Sequence, residues 1–314
     1  MVSECDRQPD IQLPDLRVFS IRSHGDIGRA RGRTASRRRS RSCVRSNLRC
    51  TSLTPNNLLA KGRVLVNFVS VEISDKIGLV TLNEPARLNP VTGDRIEQLN
   101  DACRALADRS DVHVIIVTGA GRGFCSGADL AAASSNSTLP PASGSTIGAG
   151  SQWTLAYLPQ PVIAMVNGPA IGYGCELALQ ADIRIASSAA SFALPFAKLG
   201  TVSDTGAGTW ILPRLIGSDH AADLLYTGRT ISAGEAHQLG LVTTIVEPAE
   251  LRDSVCELAS ALVANSSWSL RALKQMLWKG LDQRPSEHLL LQYAYQRLGD
   301  PDFDLEKYAA QFRR

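Results

Sequence analysis

The chain has 314 residues, of which 44% are hydrophobic, and its formal net charge at neutral pH is +3. It contains neither an apolar run of about 18 residues nor a secretory signal pattern, which argues against a membrane span and against secretion. The seven cysteines are an odd number and show no Cys-x-x-Cys spacing, so we expect reduced thiols in a cytoplasmic protein.

Residues 1–61 form an Arg/Ser-rich extension that we expect to be disordered. Its thirteen Arg and Lys face five Asp and Glu, which leaves the other 253 residues with a net charge of −5. Three interpretations stay open: an artefact of a start codon set too far upstream, a mitochondrial transit peptide, or a tail that binds nucleic acid or a membrane. Four acidic residues among the first fifteen weaken the second, because transit peptides are poor in acids.

The first elements after the extension read as strands and one helix. Strand patterns at 64–73 and 77–82 are joined by a turn, and residues 94–107 carry an apolar helical stripe. A further run of β-branched residues at 114–117 predicts a buried strand. Residues 131–151 are almost all Ala, Ser, Thr, Gly and Pro, which predicts a mobile surface loop.

Strands and helices then alternate. The predicted strands are 162–166, 183–186 and 242–246, and the predicted helices are 174–180, 219–226 and 232–239. From Glu250 onward the pattern is helical, with amphipathic stretches at 268–279 and 287–298. The order predicts an α/β core at 62–250 and a helical region at 251–314.

Two glycine-rich segments each follow a run of β-branched residues. The first, Gly123-Phe-Cys-Ser-Gly-Ala-Asp129, follows 114–117, and the second, Asn167-Gly-Pro-Ala-Ile-Gly-Tyr-Gly-Cys-Glu176, follows 162–166. Glycine lets a backbone approach a ligand closely, and a helix start presents unpaired N–H donors. Two such turns placed together can each direct one N–H at a carbonyl oxygen and stabilise an enolate. The segments therefore predict an oxyanion site for acyl chemistry.

At these two segments the chain resembles the enoyl-CoA hydratase/isomerase (crotonase) superfamily. Further matching segments follow the family's order at 78–89, 181–186, 212–217, 225–229 and 240–242. The resemblance implies an α/β fold built as a crotonase-like spiral of β-β-α units with a C-terminal helical region. It also implies a homo-oligomer, a trimer or a dimer of trimers, in which residues 251–314 pack between subunits.

The resemblance places the two oxyanion donors on the backbone N–H groups of Ala128 and Tyr173. Family members often have glycine at the second position, so the Tyr173 ring either narrows the acyl pocket or supplies a hydroxyl. Glu176 matches one of the two glutamates that hold and activate water in the family's hydratases. Because Glu176 lies in a first helical turn, a purely structural role with the helix dipole is also open.

The second hydratase glutamate is replaced by Phe196, which can neither hold water nor transfer a proton. Asp204, eight residues further on, falls close to the single acidic base of the family's double-bond isomerases. Asp204 is also placed to cap the helix that follows, and the two roles are compatible.

The resemblance also implies a set of positions around the CoA thioester and its acyl group. They are Arg87, Leu88, Gly127, Asp129, Leu130, Gly172, Gly174 and Phe196. Arg87 either meets the nucleotide phosphate or is a solvated surface arginine. Cys125 and Cys175, inside the two motifs, are interpreted as small buried fillers rather than nucleophiles.

The expected function is hydration of a 2-enoyl-CoA. The alternatives are Δ3,Δ2-enoyl-CoA double-bond isomerisation with a single acidic base, another acyl-CoA reaction such as thioester hydrolysis, and a non-catalytic RNA-binding protein of the same fold. We expect an acyl-CoA substrate, no nucleic-acid partner, no membrane, no metal and no cofactor, since CoA is part of the substrate. The five histidines show no metal-ligand spacing. We expect a cytoplasmic location, with a mitochondrial one as the alternative.

Overall fold

The computed structural model describes residues 64–66, 68–130, 153–304 and 306. The Arg/Ser-rich extension at 1–61 and the predicted loop at 131–151 lie outside the described residues, so the interpretations offered for them stay predictions.

Seven strands form the larger sheet, in the order β1-β2-β3-β4-β5-β7-β10. They are β1 (Val64–Val66), β2 (Val69–Ser74), β3 (Ile77–Leu82), β4 (Val114–Gly119), β5 (Val162–Val166), β7 (Ile183–Ser187) and β10 (Thr244–Val246). The first three strands are antiparallel neighbours, and the pairs from β3 to β10 are parallel. Strands β4 and β5 are buried throughout, as their continuous apolar runs predict for central parallel strands.

The predicted single strand at 64–73 is wrong. The chain reverses after Val66, and β1 pairs antiparallel with β2 with Val66 opposite Val69 and Val64 opposite Val71. No glycine or proline marks this reversal, and apolar residues stand on both sides of it, as a consecutive run at 64–66 and in alternation from Val69 to Ile73. The apolar pattern alone therefore does not distinguish one long strand from a hairpin.

A smaller sheet includes part of the second glycine-rich segment. It contains β6 (Ala170–Ile171), β8 (Ser191–Ala193) and β9 (Thr230–Ser232), with β6 parallel and β9 antiparallel to β8. None of the three was predicted, because two or three residues are too few to show an alternating pattern.

The helices of the described part match the predicted ranges, except for two short helices at 207–210 and 212–216 for which no range was predicted. They are α1 (Gly93–Ala107), α2 (Tyr173–Leu179), α3 (Ala207–Trp210), α4 (Leu212–Ile216), α5 (Ser218–Thr227), α6 (Ala233–Gln238), α7 (Leu251–Val263), α8 (Ser267–Gly280) and α9 (Pro285–Leu298). Two short 3-10 turns cover Pro85–Arg87 and Ala197–Leu199. No helix in these described ranges is long and apolar enough to cross a membrane.

The large sheet separates two apolar clusters. Ile116 of β4 shares one cluster with Val255 of α7, while Val117, its neighbour along the strand, faces the main core. The main core also contains Tyr173 and Leu177 of α2. Helix α2 is buried along its whole length, so its first turn is held rigidly at the end of β6.

Candidate active site

The two glycine-rich segments lie side by side. Cys125 and Ala170 form a parallel bridge, in which the Ile171 N–H donates to the Cys125 carbonyl at 2.9 Å. Gly127 has a φ of +83° and Gly172 a φ of +54°, a region that favours glycine. Both tight turns therefore need the glycines that the motifs supply.

The N–H groups of Ala128 and Tyr173 take no part in the backbone hydrogen bonds around the two glycine-rich segments. Val91 bridges to Ala128 by donating to the Gly127 carbonyl and accepting from the Asp129 N–H, both at 2.8 Å. In a parallel bridge, the bonds to Val91 come from the two neighbours of Ala128 rather than from Ala128 itself. The Ala128 N–H therefore points away from Val91. Tyr173 is the first residue of α2, where an N–H has no acceptor within the helix. Within the described ranges, neither N–H has a backbone acceptor.

The two leftover donors are close together. A Cβ built on Gly127, directly before Ala128, would lie 3.5 Å from the Tyr173 nitrogen and 2.6 Å from the Ile171 carbonyl oxygen. The structure thus brings together the two backbone positions that the motifs predicted as donors.

The Tyr173 ring packs into the main core and is only 4% exposed. Burial raises the pKa of its phenol, with the nearby Cys125, Cys103, Glu176 and Asp204 adding to the rise, so the hydroxyl stays neutral. The two roles predicted for the ring, narrowing the pocket or supplying a hydroxyl, stay predictions.

Glu176 lies one turn into α2 and is fully buried. Its Oε1 accepts from the Ser203 hydroxyl and from the Gly208 N–H at 2.9 Å. Its Oε2 accepts from the Thr205 N–H at 2.9 Å. A carboxylate offers about four acceptor positions, so one remains on Oε2. Glu176 therefore ties α2 to the segment 203–208.

Asp204 stands in the middle of this segment, between two residues that bind Glu176. The residue as a whole is exposed, but surrounding protein atoms partly desolvate its carboxyl group. This desolvation, together with the negative charge of Glu176, raises the pKa of Asp204 to about 6. A carboxyl group with such a pKa exchanges protons readily near neutral pH.

The predicted helix-capping role of Asp204 is wrong. The N-cap of α3 is Gly206, with a φ of +81°, and no side chain caps this helix from that position. The Thr205 hydroxyl oxygen accepts the Ala207 N–H at 3.1 Å, and Glu176 accepts the Gly208 N–H. The left-handed glycine delays the helix start, so Asp204 is left outside it.

Phe196 is buried, with 6% of its surface exposed. Its ring atom Cζ lies 4.0 Å from the position of a Cβ on Gly172, the residue before Tyr173, which carries the second predicted donor. An apolar ring therefore stands beside the second turn, where the family's hydratases are expected to carry a glutamate.

Asp129 is buried and forms a paired contact with Arg87. The Arg87 Nη1 donates to Asp129 Oδ2 at 2.7 Å, and the Arg87 Nη2 donates to Oδ1 at 2.5 Å. The Arg95 Nη1 lies 3.6 Å from Oδ2. Asp129 directly follows Ala128, so this pair fixes the backbone that carries the first predicted donor. The predicted contact of Arg87 with a nucleotide phosphate stays a prediction.

Three other predicted positions surround these turns. Leu88 has a φ of +61°, and its carbonyl accepts the Ser126 N–H at 2.9 Å. Leu130 is 60% exposed at the end of the first segment. Gly174 packs against the backbone of Cys125. Their contacts with CoA stay predictions.

The cysteines of the two motifs are buried fillers, as predicted. Cys125 and Cys175 are at most 2% exposed, and burial raises the pKa of Cys125 to about 12 and that of Cys175 as well. Neither forms the thiolate that a nucleophile needs at neutral pH. In the ranges that the structure describes, no group of three or more His, Cys, Asp or Glu could hold a metal ion.

Two polar residues that contact the site, Ser203 and Trp153, were not predicted from the sequence. Ser203 donates to Glu176, and its position directly before Asp204, in a polar run between glycines, is the signal that could have found it. The Trp153 indole N–H donates to the Thr205 carbonyl at 2.7 Å. This contact spans 52 residues and has no local signal in the sequence.

Known proteins that are similar in sequence and in structure point to one enzyme family. The profile of the enoyl-CoA hydratase/isomerase family matches residues 72–296. The short-chain-enoyl-CoA hydratase of Clostridium acetobutylicum is 37% identical over 217 residues, which cover 69% of this chain and 83% of the relative. The 1,2-epoxyphenylacetyl-CoA isomerase of Escherichia coli is 34% identical over 252 residues, which cover 79% of this chain and 96% of the relative. The solved structure of an enoyl-CoA hydratase from Bacillus anthracis matches with a TM-score of 0.69 and 32% identity. The match covers 73% of this chain and 90% of that one.

Proposed function

The chain belongs to the enoyl-CoA hydratase/isomerase family, and from this premise we propose that it adds water to the double bond of a 2-enoyl-CoA thioester. The same comparisons bear out the predicted crotonase-like α/β fold and an enzyme of this family. One observation carries the proposed reaction: Glu176, three residues after the Tyr173 N–H in α2, binds Ser203 and Thr205, the two residues that flank Asp204, so two carboxylates lie close to the predicted donors.

The N–H groups of Ala128 and Tyr173 are the proposed oxyanion donors. With the thioester carbonyl oxygen between them, they would stabilise the negative charge that grows when the α carbon becomes carbanionic. Fixed backbone donors need no reorganisation during the reaction, which is why such a site lowers the barrier. The close approach of Gly127 to the Tyr173 nitrogen supports this assignment.

We assign water orientation to Glu176 and proton transfer to Asp204. The remaining acceptor position on Glu176 Oε2 suits one O–H of a water molecule. In hydration the hydroxyl group goes to the β carbon and a proton to the α carbon. A pKa of about 6 lets Asp204 both take and return a proton. Asp204 would thus supply the second carboxylate that Phe196 does not.

Double-bond isomerisation is the second candidate, and the hydrogen bonding of Glu176 favours it. Three donors already occupy this carboxylate, which leaves it a single acceptor position for water. Isomerisation needs only one group to remove a proton from one carbon and return it two carbons away. Asp204 alone meets that requirement.

The other parts of the proposal concern partners and location. We propose that CoA enters as part of the substrate, without a separate cofactor, and that the chain assembles as a homotrimer or a dimer of trimers. We also propose a cytoplasmic location. Cys103, Cys125 and Cys175 are buried thiols outside any disulfide, which supports a reducing compartment.

The test incubates the full chain with crotonyl-CoA and, separately, with a 3-enoyl-CoA, and follows the products by mass spectrometry and NMR. A gain of one water from crotonyl-CoA supports hydration. A product of unchanged mass with a shifted double bond, formed from the 3-enoyl substrate alone, replaces hydration by isomerisation. Turnover of neither substrate contradicts both candidates.

A further inference from the structure

Thr205 is the most firmly held residue of the segment that carries Asp204. Its N–H donates to Glu176, its hydroxyl oxygen accepts the Ala207 N–H, and its carbonyl accepts the Trp153 indole N–H at 2.7 Å. All three of its polar groups are used, and the residue is buried. The position of Asp204, one residue earlier, therefore depends on how Thr205 is held.

Trp153 is itself fixed by other aromatic rings. It packs edge-on against Trp210 at 5.1 Å and against Trp278 at 6.2 Å between ring centroids. Trp278 lies on α8 and donates its indole N–H to Asp182 at 3.0 Å. The indole of Trp153 thus links the segment 203–208 to a rigid part of the core.

We propose that Trp153 is a positioning residue for the proposed reaction, because its indole N–H holds the Thr205 carbonyl and thereby keeps Asp204 beside Glu176. The inference rests on the proposed function and adds a residue to it. Glu176 holds the segment through the Ser203 hydroxyl and the Thr205 N–H, and Trp153 holds the Thr205 carbonyl. Without the Trp153 contact, the Thr205 carbonyl loses this donor, and of these three contacts only the two to Glu176 still restrain the segment around Asp204.

A change in the position of Asp204 can be measured as a change in its pKa, because that pKa depends on the surrounding groups. Among the residues that the structure describes, the ionisable groups that interact with it are the Glu176 carboxylate and the neutral Tyr173 phenol, both on α2. If Asp204 moves outward into water, desolvation and repulsion by Glu176 both decrease, and its pKa falls from about 6 toward its ordinary value of 3.8.

The experiment compares the full-length Trp153→Phe variant with Trp278→Phe as a matched control. Both variants keep an aromatic ring and lose one indole hydrogen bond, but only the first loses a bond to the segment 203–208. Three quantities are measured: the pKa of Asp204 by NMR titration of its carboxyl carbon, hydrogen exchange of peptides covering 203–208, and kcat with KM.

For Trp153→Phe we expect a lower Asp204 pKa, faster exchange at 203–208 and a roughly tenfold lower kcat with little change in KM. For Trp278→Phe we expect a lower melting temperature without these three changes. The proposal is overturned if the two variants behave alike, or if the Asp204 pKa stays at its wild-type value in Trp153→Phe. If the wild type turns over no enoyl-CoA, the proposed function fails, while titration and exchange still decide whether Trp153 holds Asp204.

Discussion

Gly174 and Cys125 approach so closely that no side chain fits between them. A Cβ on Gly174 would lie 2.2 Å from the Cys125 carbonyl oxygen and 2.7 Å from the Cys125 Cβ. Real Cβ atoms do not come so close to another backbone, so one of the two glycine-rich segments would have to move. This contact sets the spacing between the Ala128 and Tyr173 N–H groups, because each lies within a few residues of it.

We predict that Gly174→Ala lowers both stability and turnover. The added methyl group separates the segments, and overpacking of this kind costs about 1–3 kcal/mol of unfolding free energy. We expect turnover to fall further than stability explains, since the two proposed oxyanion donors would no longer point at one oxygen. Thermal unfolding and kcat measure the two effects.

Gly234→Ala is the matched control for this change. Gly234 lies in α6, and a Cβ there meets only the Ser232 hydroxyl oxygen at 3.7 Å. Alanine is the better helix former, so this variant should be as stable as the wild type or more stable. Equal turnover in Gly174→Ala and the wild type would show that the contact does not set the donor geometry.

Much of the fold could be predicted because its main elements are long and periodic. The stripe that contains Leu99 and Cys103 predicted α1, and the continuous apolar run at 162–166 predicted β5. The positions of both donors followed from motifs that the family shares. Local patterns carried each of these predictions.

The rest depends on contacts between distant parts of the chain. The bond from Trp153 to Thr205, the three short strands of the smaller sheet and the hairpin at Val66 leave no periodic signal. The helix start after Gly206 also had no clear signal, and so Asp204 was wrongly given a capping role. Tertiary contacts decide such features, and single-sequence patterns do not contain them.

We predict that Glu176→Gln abolishes hydration, with a loss of kcat of about a hundredfold or more. The amide cannot accept from all three donors that the carboxylate holds, because its NH₂ group faces them as a donor. Unpaired buried donors cost about 1–3 kcal/mol, so the melting temperature falls as well. Steady-state kinetics with crotonyl-CoA and thermal unfolding are the measurements.

Ser203→Ala separates the two roles of this carboxylate. It removes one donor to Glu176 but leaves the charge and the two backbone bonds from Thr205 and Gly208. We expect a smaller loss of kcat than in Glu176→Gln. If Glu176→Gln keeps wild-type turnover, Glu176 is purely structural and the assignment of water orientation to it is wrong.

We predict that Asp204→Asn stabilises the protein at neutral pH relative to the wild type. The native pKa of Asp204 is about 6 and its ordinary value is 3.8, so between these values the native state binds more protons than the unfolded state. Wild-type stability therefore falls as pH rises through this range, and asparagine removes that loss. The melting-temperature difference in favour of the variant should grow between about pH 4 and pH 7.

The same substitution at the exposed Asp101 on α1 is the control for this pH dependence. A pH-independent difference in Asp204→Asn would show that the site does not raise the Asp204 pKa. Activity gives a second readout, because loss of both hydration and isomerisation is expected for a group that transfers the proton in either reaction.

We predict that Asp129→Asn lowers kcat more than it changes KM. The variant breaks the two-bond pairing with Arg87 that fixes the backbone after Ala128. Asp111→Asn removes a similar two-bond pair with Arg109 on the exposed surface and should leave kinetics unchanged. A rise in KM for acyl-CoA with constant kcat would instead assign Arg87 and Asp129 to substrate binding.

We predict that Phe196→Leu shifts acyl-group preference toward bulkier substrates. Phe196 is buried beside Gly172, so a smaller side chain enlarges the space next to the second oxyanion donor. A change of this size in an apolar pocket alters the ratio of kcat/KM values by about tenfold. Phe192→Leu is the matched control, because Phe192 is equally buried in the core on β8. Both variants should lose about 1 kcal/mol of stability, but only Phe196→Leu should raise kcat/KM for a branched enoyl-CoA relative to crotonyl-CoA. If the two variants keep the same preference, the Phe196 ring does not border the acyl group.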